Sequence, residues 1–169
     1  WKPGDPLDEK TRLGPLISAE HREKVLRYIE IGQKEGGILV AGGDRPAHLP
    51  RGYFLNPTII DGVKADHTLA REEVFGPVLS VIRVKSVEEA AAIANSTIYG
   101  LAAAIWTRDA SRALDFARRV QAGTVWVNTY NEFDAALPFG GFKQSGFGRE
   151  LGSAALEAYT QVKSIWVAL

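Results

Sequence analysis

Apolar positions recur at helical spacing after Ser18, with Val25, Leu26 and Ile29 on one stripe, so the pattern predicts a helix. Ser18 stands where an N-cap is expected, ahead of Ala19-Glu20, and Gly36-Gly37 marks the helix end. The run Ile38-Leu39-Val40-Ala41 reads as a short buried strand, stopped by Gly42-Gly43-Asp44. A loop with Pro46 and Pro50 spans Arg45 to Arg51. Tyr53 to Ile60 reads as extended, with Pro57 predicting an edge or an irregularity. The second half is more regular. Pro77 to Val84 is apolar and β-branched, as buried strands are; Ser86 caps a helix through Ala94, with Glu88 and Glu89 in its first turn. A strand over Leu101 to Trp106, a helix over Asp109 to Val120 and a strand over Thr124 to Asn128 follow. A brief helix over Ser153 to Tyr159 and a strand over Val162 to Val167 close the chain. Alternating strands and helices with short connections predict βαβ units and an α/β fold, a parallel-sheet three-layer sandwich. Right-handed crossovers place the two helices of the second half on one face of the sheet.

Length and composition bound the possibilities. With 169 residues, 46% of them hydrophobic and 24% charged, the chain is expected to bury a core as one compact domain. Twenty basic residues balance twenty acidic ones, which argues against nucleic-acid binding through a strong positive field. There is no cysteine, so disulfides, thiolate metal sites and a cysteine nucleophile are excluded within this stretch. His21, His48 and His67 are too scattered to suggest a metal site. No signal peptide or long apolar run is visible, and the expected location is the cytoplasm, with no membrane partner. The chain begins at Trp1 and contains no Met, and it reads as a piece of something longer. Asn95-Ser96-Thr97 fits a glycosylation sequon without any sign of secretion, and Arg118-Arg119 reads as a solvated helix face.

Four segments are candidates for chemistry. Glu72-Glu73-Val74-Phe75-Gly76-Pro77 is either a solvated turn or a ligand contact, in which one carboxylate accepts hydrogen bonds from ligand hydroxyls beside a flat aromatic wall. Gly123 to Asn131 runs from a strand into polar and aromatic residues, where open α/β sheets bind ligands; alternatively Asn128 closes a turn and the aromatics fill the core. Leu137 to Glu150 is dense in glycine but has neither the P-loop nor the dinucleotide spacing, so its glycines are read as permitting tight backbone packing and positive φ. Lys143, Arg149 and Glu150 are expected in internal ion pairs. The tail from Tyr159 to Leu169 alternates, and reads as a strand either in its own sheet or added to another subunit's.

Together these segments resemble the aldehyde dehydrogenase superfamily. Leu13-Gly14-Pro15-Leu16-Ile17, Gly52-Tyr53-Phe54 with Asn56-Pro57-Thr58, Glu72 to Val78, Ala94-Asn95 with Tyr99-Gly100-Leu101, Gly123 to Asn128 and Pro138 to Glu150 follow that family's order and spacing over essentially the whole chain. The resemblance implies the carboxy-terminal part of the family's catalytic domain over residues 1–160 and an oligomerisation strand over 161–169. It implies that Glu73 binds the ribose hydroxyls on the nicotinamide side of NAD or NADP and that Phe75 packs near the nicotinamide. Phe133 and Phe139 would line the substrate tunnel, with Asn131 near its mouth.

In such enzymes a cysteine thiolate attacks the aldehyde, hydride leaves to the cofactor, and water activated by a glutamate releases the acid. Here the sequence departs from the family: the nucleophile, the base, the oxyanion asparagine and the cofactor domain lie upstream in full-length members, and no residue of this chain replaces them. The expectation is therefore a fragment of an NAD(P)-dependent aldehyde dehydrogenase, a homo-oligomer acting on aldehydes, with the fragment inactive alone. The competing expectation is a stand-alone, non-catalytic oligomerisation or binding module of the same fold. Asn128-Thr129-Tyr130-Asn131 and Phe133-Asp134 look like members taking betaine aldehyde, aminoaldehydes or aliphatic aldehydes.

Overall fold

A computed structural model describes all residues, 1–169. It divides into two compact units, Trp1–Val84 and Lys85–Leu169, where length alone suggested one body. No helix is long and apolar enough to cross a membrane.

The first unit is built on helix α1 (Ala19–Lys34). Its N-cap is Ser18, whose hydroxyl accepts the His21 amide at 3.0 Å, satisfying one of the orphan donors of the first turn. The helix ends at Glu35, and Gly36 follows with φ 101°, a left-handed conformation that glycine adopts without steric cost. Its inward stripe holds Val25, Ile29 and Gly32. A Cβ on Gly32 would lie 2.1 Å from the Leu69 side chain, so the missing side chain is what lets α2 (Thr68–Arg71) approach. Strands β1 (Ile38–Ala41), β2 (Thr58–Asp61) and β3 (Val78–Ser80) form one sheet in that order. Strand β2 runs antiparallel to β1 and parallel to β3. Pro57 comes just before β2, whose Thr58 and Ile60 point into the core. That core consists of Val25, Ile29, Leu55, Ile60, Val63 and Leu69. The expected buried strand Ile38–Ala41 is present but exposed along its whole length, with Ile38 63% accessible: it is the edge of the sheet, and nothing in the chain covers it.

The second unit is a βαβ arrangement. Helix α3 (Val87–Asn95) is capped by Ser86, which accepts the Glu89 amide at 3.1 Å. After it come β4 (Tyr99–Gly100), β5 (Ala102–Ile105), α4 (Ala110–Arg119, capped by Asp109), β6 (Thr124–Val127) and β7 (Phe142–Lys143). Strands β5 and β6 pair in parallel from Ala102–Thr124 to Ile105–Val127, with α4 as the crossover. Ala91 of α3 and Phe116 of α4 share one buried cluster with Ala103, Ile105 and Val125, so both helices lie on the same face of this pair. Burying a side chain such as Phe116 contributes on the order of 2 kcal/mol. Strands β4 and β7 pair antiparallel, docking the glycine-rich segment beside α3. The Asn95 amide spans the two helix ends: Nδ2 donates to the Arg119 carbonyl at 2.8 Å and Oδ1 accepts from Gln121 at 2.7 Å.

Ser153–Tyr159 is a 3-10 helix, as expected in place if not in type. The strand expected over Val162 to Val167 does not form; residues from Thr160 onward have no regular structure, and Val162, Trp166 and Leu169 are fully exposed. An alternating pattern provides a face for a strand, but the ladder's hydrogen bonds need a partner, and none is present for this segment.

Candidate functional site

In the first unit, the segment between α2 and β3 crosses one face of α1. The two neighbouring carboxylates are in different situations. The Tyr28 hydroxyl donates to Glu72 Oε2 at 2.7 Å, which ties that carboxylate back to the helix. Glu73 is exposed and has no hydrogen bond or ion pair within the chain. Phe75 has φ 59°, a left-handed backbone that costs a non-glycine residue roughly 1 kcal/mol or more, and the residue is 69% exposed. Its carbonyl lies 2.7 Å from His21 Nε2, and the two rings are 6.5 Å apart. Gly76 packs directly on α1: a Cβ there would lie 2.6 Å from a Val25 methyl. Both carboxylates, Glu72 and Glu73, line an open hollow of about 470 Å³ together with Val74, Phe75, Gly76 and the flanking Leu69, Val78 and Ser80. An exposed, unpartnered carboxylate beside an exposed ring suits a ligand that offers hydroxyl donors and a flat apolar face.

In the second unit, β6 leads into an aromatic chain. Trp126 is buried, and its indole N–H donates to the Glu132 carbonyl at 2.8 Å. Tyr130 and Phe133 meet it edge-on at 5.1 and 5.7 Å, and Phe139 meets Phe133 at 5.1 Å with the planes 82° apart. These T-shaped contacts are the preferred aromatic geometry. Phe133 stays 53% exposed, so the chain runs from core to surface. Asn131 is exposed on the connecting loop with φ 62°. Phe133 and Phe139 are thus brought together, and Asn131 sits two residues before the first of them in a constrained turn.

Asn128 closes a turn. Its Oδ1 accepts the Thr107 amide at 2.8 Å and its Nδ2 donates to the Thr107 carbonyl at 2.9 Å, joining the ends of β5 and β6. The glycine-rich segment behaves as a packing element. A Cβ on Gly123 would lie 1.6 Å from the Gly140 carbonyl oxygen, so the loop backbone rests directly on the strand. The ion pairs expected for Lys143, Arg149 and Glu150 do not form. Lys143 Nζ donates to the carbonyl of Asn95 (2.7 Å), which ends α3 and carries partial negative charge, and to that of Thr97 (3.0 Å) just beyond the helix. Arg149 Nη1 donates to the Gly141 carbonyl at 3.0 Å, and its guanidinium lies 5.4 Å from the Phe142 ring. Glu150 pairs through its backbone with Phe139. Local pattern offers charges but not their partners, and here the nearest free acceptors are main-chain carbonyls.

One contribution escapes the sequence: His21 and Tyr28 hold the 72–76 segment. Helical spacing carried a signal for this pair, because His21, Val25 and Tyr28 fall at i, i+4 and i+7. The histidines remain apart: His48 Nε2 contacts the Pro3 carbonyl at 3.0 Å, and His67 stands at the N-cap of α2. No group of three His, Cys, Asp or Glu side chains is placed to hold a metal ion.

The sequence profile of the aldehyde dehydrogenase family matches residues 1–165. The chain belongs to the aldehyde dehydrogenase family. It is 52% identical to the Bacillus subtilis protein DhaS over 98% of this chain and 33% of DhaS, and 48% identical to the betaine aldehyde dehydrogenase of Rhizobium etli over 98% of this chain and 34% of that enzyme. The NAD+ complex of an aldehyde dehydrogenase from Bacillus cereus superposes with a TM-score of 0.92 at 50% identity, covering 98% of this chain and 33% of that one. The α/β fold with parallel strand pairs is the aldehyde dehydrogenase fold over this stretch. The chain spans about a third of the length of these relatives.

Proposed function

We propose that this chain carries the nicotinamide-side cofactor contact and one wall of the aldehyde tunnel of an NAD(P)-dependent dehydrogenase that oxidises an aldehyde to its acid. The observation that carries this reading is the contrast between Glu72, bound to Tyr28, and Glu73, free beside the exposed Phe75 ring. A vicinal diol can donate two hydrogen bonds to one carboxylate, and such charge-assisted bonds are about twice as strong as neutral ones. Glu73 is the carboxylate available for that task, and Phe75 offers a flat apolar surface against which a planar ring can rest, excluding water from that side. The cofactor, when bound, supplies the hydride acceptor. The complex of the Bacillus cereus relative with NAD+ supports NAD as that cofactor.

Phe133 and Phe139 are read as tunnel wall and Asn131 as a group near its mouth, supported by the edge-to-face packing that fixes the two rings. Betaine aldehyde, the substrate in the Rhizobium etli relative's name, belongs to the class of small aldehydes that this wall would meet. The chain has no cysteine, so it supplies no thiolate to form the adduct from which hydride leaves, and these 169 residues alone are read as inactive. We read residues 161–169 as a strand that pairs with another subunit in a cytoplasmic homo-oligomer, a reading supported by the exposed side chains of Val162, Ile165 and Trp166.

Glu73→Gln in the dehydrogenase polypeptide containing this chain tests the cofactor contact. The KM for NAD+ is expected to rise about tenfold, with the KM for aldehyde unchanged, because a charge-assisted hydrogen bond becomes a neutral one. An unchanged KM for NAD+ overturns the reading. Sizing of the chain at several concentrations tests self-association, and a monomer at every concentration counts against it.

A further inference from the structure

The 72–76 segment presents an exposed carboxylate and an exposed ring while its backbone includes a left-handed, non-glycine residue. Such a conformation persists only where its surroundings impose it. The imposing element is one stripe of α1. Tyr28 takes the Glu72 carboxylate, Val25 leaves room only for a glycine at position 76, and His21 takes the Phe75 carbonyl. The first two act on the ends of the segment, and His21 alone acts on the residue with positive φ. A carbonyl oxygen can only accept, so His21 Nε2 carries the proton, in the neutral ring as well as in the imidazolium. His21 is itself held, since its amide donates to Ser18 Oγ in the capped first turn of α1.

We infer that His21 is a positioning residue for the cofactor contact: by donating to the Phe75 carbonyl it fixes the turn that aims the Phe75 ring and Glu73 outward. The inference rests on the cofactor reading above. It assigns to α1, whose hydrogen bond to the Phe75 main chain comes from His21, the task of setting the orientation of both groups.

Two variants test it. His21→Ala removes the donor and favours the helix by propensity, so the fold is retained. His21→Gln keeps an N–H donor on a side chain of similar reach. In isotope-labelled chain, NMR is expected to show His21 protonated at Nε2. His21→Ala is expected to move the Phe75 carbonyl carbon upfield and to abolish contacts between the residue 21 side chain and the Phe75 ring, while His21→Gln restores the carbonyl shift. In the dehydrogenase polypeptide, His21→Ala is expected to raise the KM for NAD+ about two- to tenfold, the worth of one neutral hydrogen bond, and His21→Gln to recover most of it, with the KM for aldehyde constant. A Phe75 carbonyl signal indifferent to His21→Ala overturns the inference. So does a KM for NAD+ that responds to Glu73→Gln but not to His21→Ala. If Glu73→Gln itself leaves that KM unchanged, the cofactor reading has failed, and the positioning role for it falls with it, even where the carbonyl shift shows the hydrogen bond to exist.

Discussion

The 72–76 segment and the 128–150 segment both leave polar and aromatic side chains exposed, and they are held in opposite ways. The first is a short turn gripped by three side chains from one helix, His21, Val25 and Tyr28. The second is a long loop held by backbone contact, through Gly123 against Gly140 and the Phe139–Glu150 pair, and by a chain of rings rooted in Trp126. A side-chain grip can be released one bond at a time and leaves the fold standing. A loop seated on backbone and core cannot be altered without disturbing the unit that holds it.

Substitutions can break or sharpen that contrast. Trp126→Ala should have the largest effect, destabilising the second unit by about 3–5 kcal/mol, since it removes a buried ring, its N–H bond to Glu132 and the seat of Tyr130 and Phe133. Urea unfolding followed by far-UV circular dichroism measures it. Gly123→Ala should follow at about 1–3 kcal/mol, because its Cβ would collide with the Gly140 carbonyl and force the loop off the strand. A loss below a few tenths would show that the loop is not seated as described. Tyr28→Phe should cost no more than about 1 kcal/mol and act locally, speeding amide exchange around residues 72–76 while the midpoint of the second unit stays put. Equal midpoint shifts in both units would contradict a local grip.

The smallest effect concerns acid. The hydrogen bonds from the Thr68 hydroxyl and amide hold the Glu35 carboxyl below its ordinary value of 4.5, and the Arg83 side chain, with the Gly62 amide, holds Asp61 below 3.8. A depressed carboxylate stabilises the folded state above its unfolded pKa and loses that contribution as pH falls through the folded one. The first unit should therefore lose stability as pH falls from about 5 to below 4, modestly, because both carboxylates are solvated. Thr68→Val should flatten the profile in that window. An acid limb of the same slope in wild type and variant would remove Glu35 from the account.

Local features were legible in the chain. The caps Ser18 and Ser86, the glycine stop after Lys34, the helix α4 and the strands flanking it appear where residue type and spacing put them, because each depends on neighbours a few residues away. The family was legible too, since its motifs are runs of contiguous residues. Four-residue α2 and two-residue β4 and β7 were not, being too short for a periodicity to declare itself.

By itself the sequence determined the fold class, the limits of α1, α3 and α4, the family and the absence of a thiol nucleophile, all properties of residues close in the chain or of simple presence. Tertiary structure alone decided that Ile38–Ala41 is an open edge, that Lys143 and Arg149 bond to carbonyls, and that Glu72 is occupied while Glu73 is free. The reason is that burial and hydrogen-bond partnership are settled by whatever the chain brings alongside. For the Phe75 carbonyl that partner is His21, 54 positions earlier in the chain.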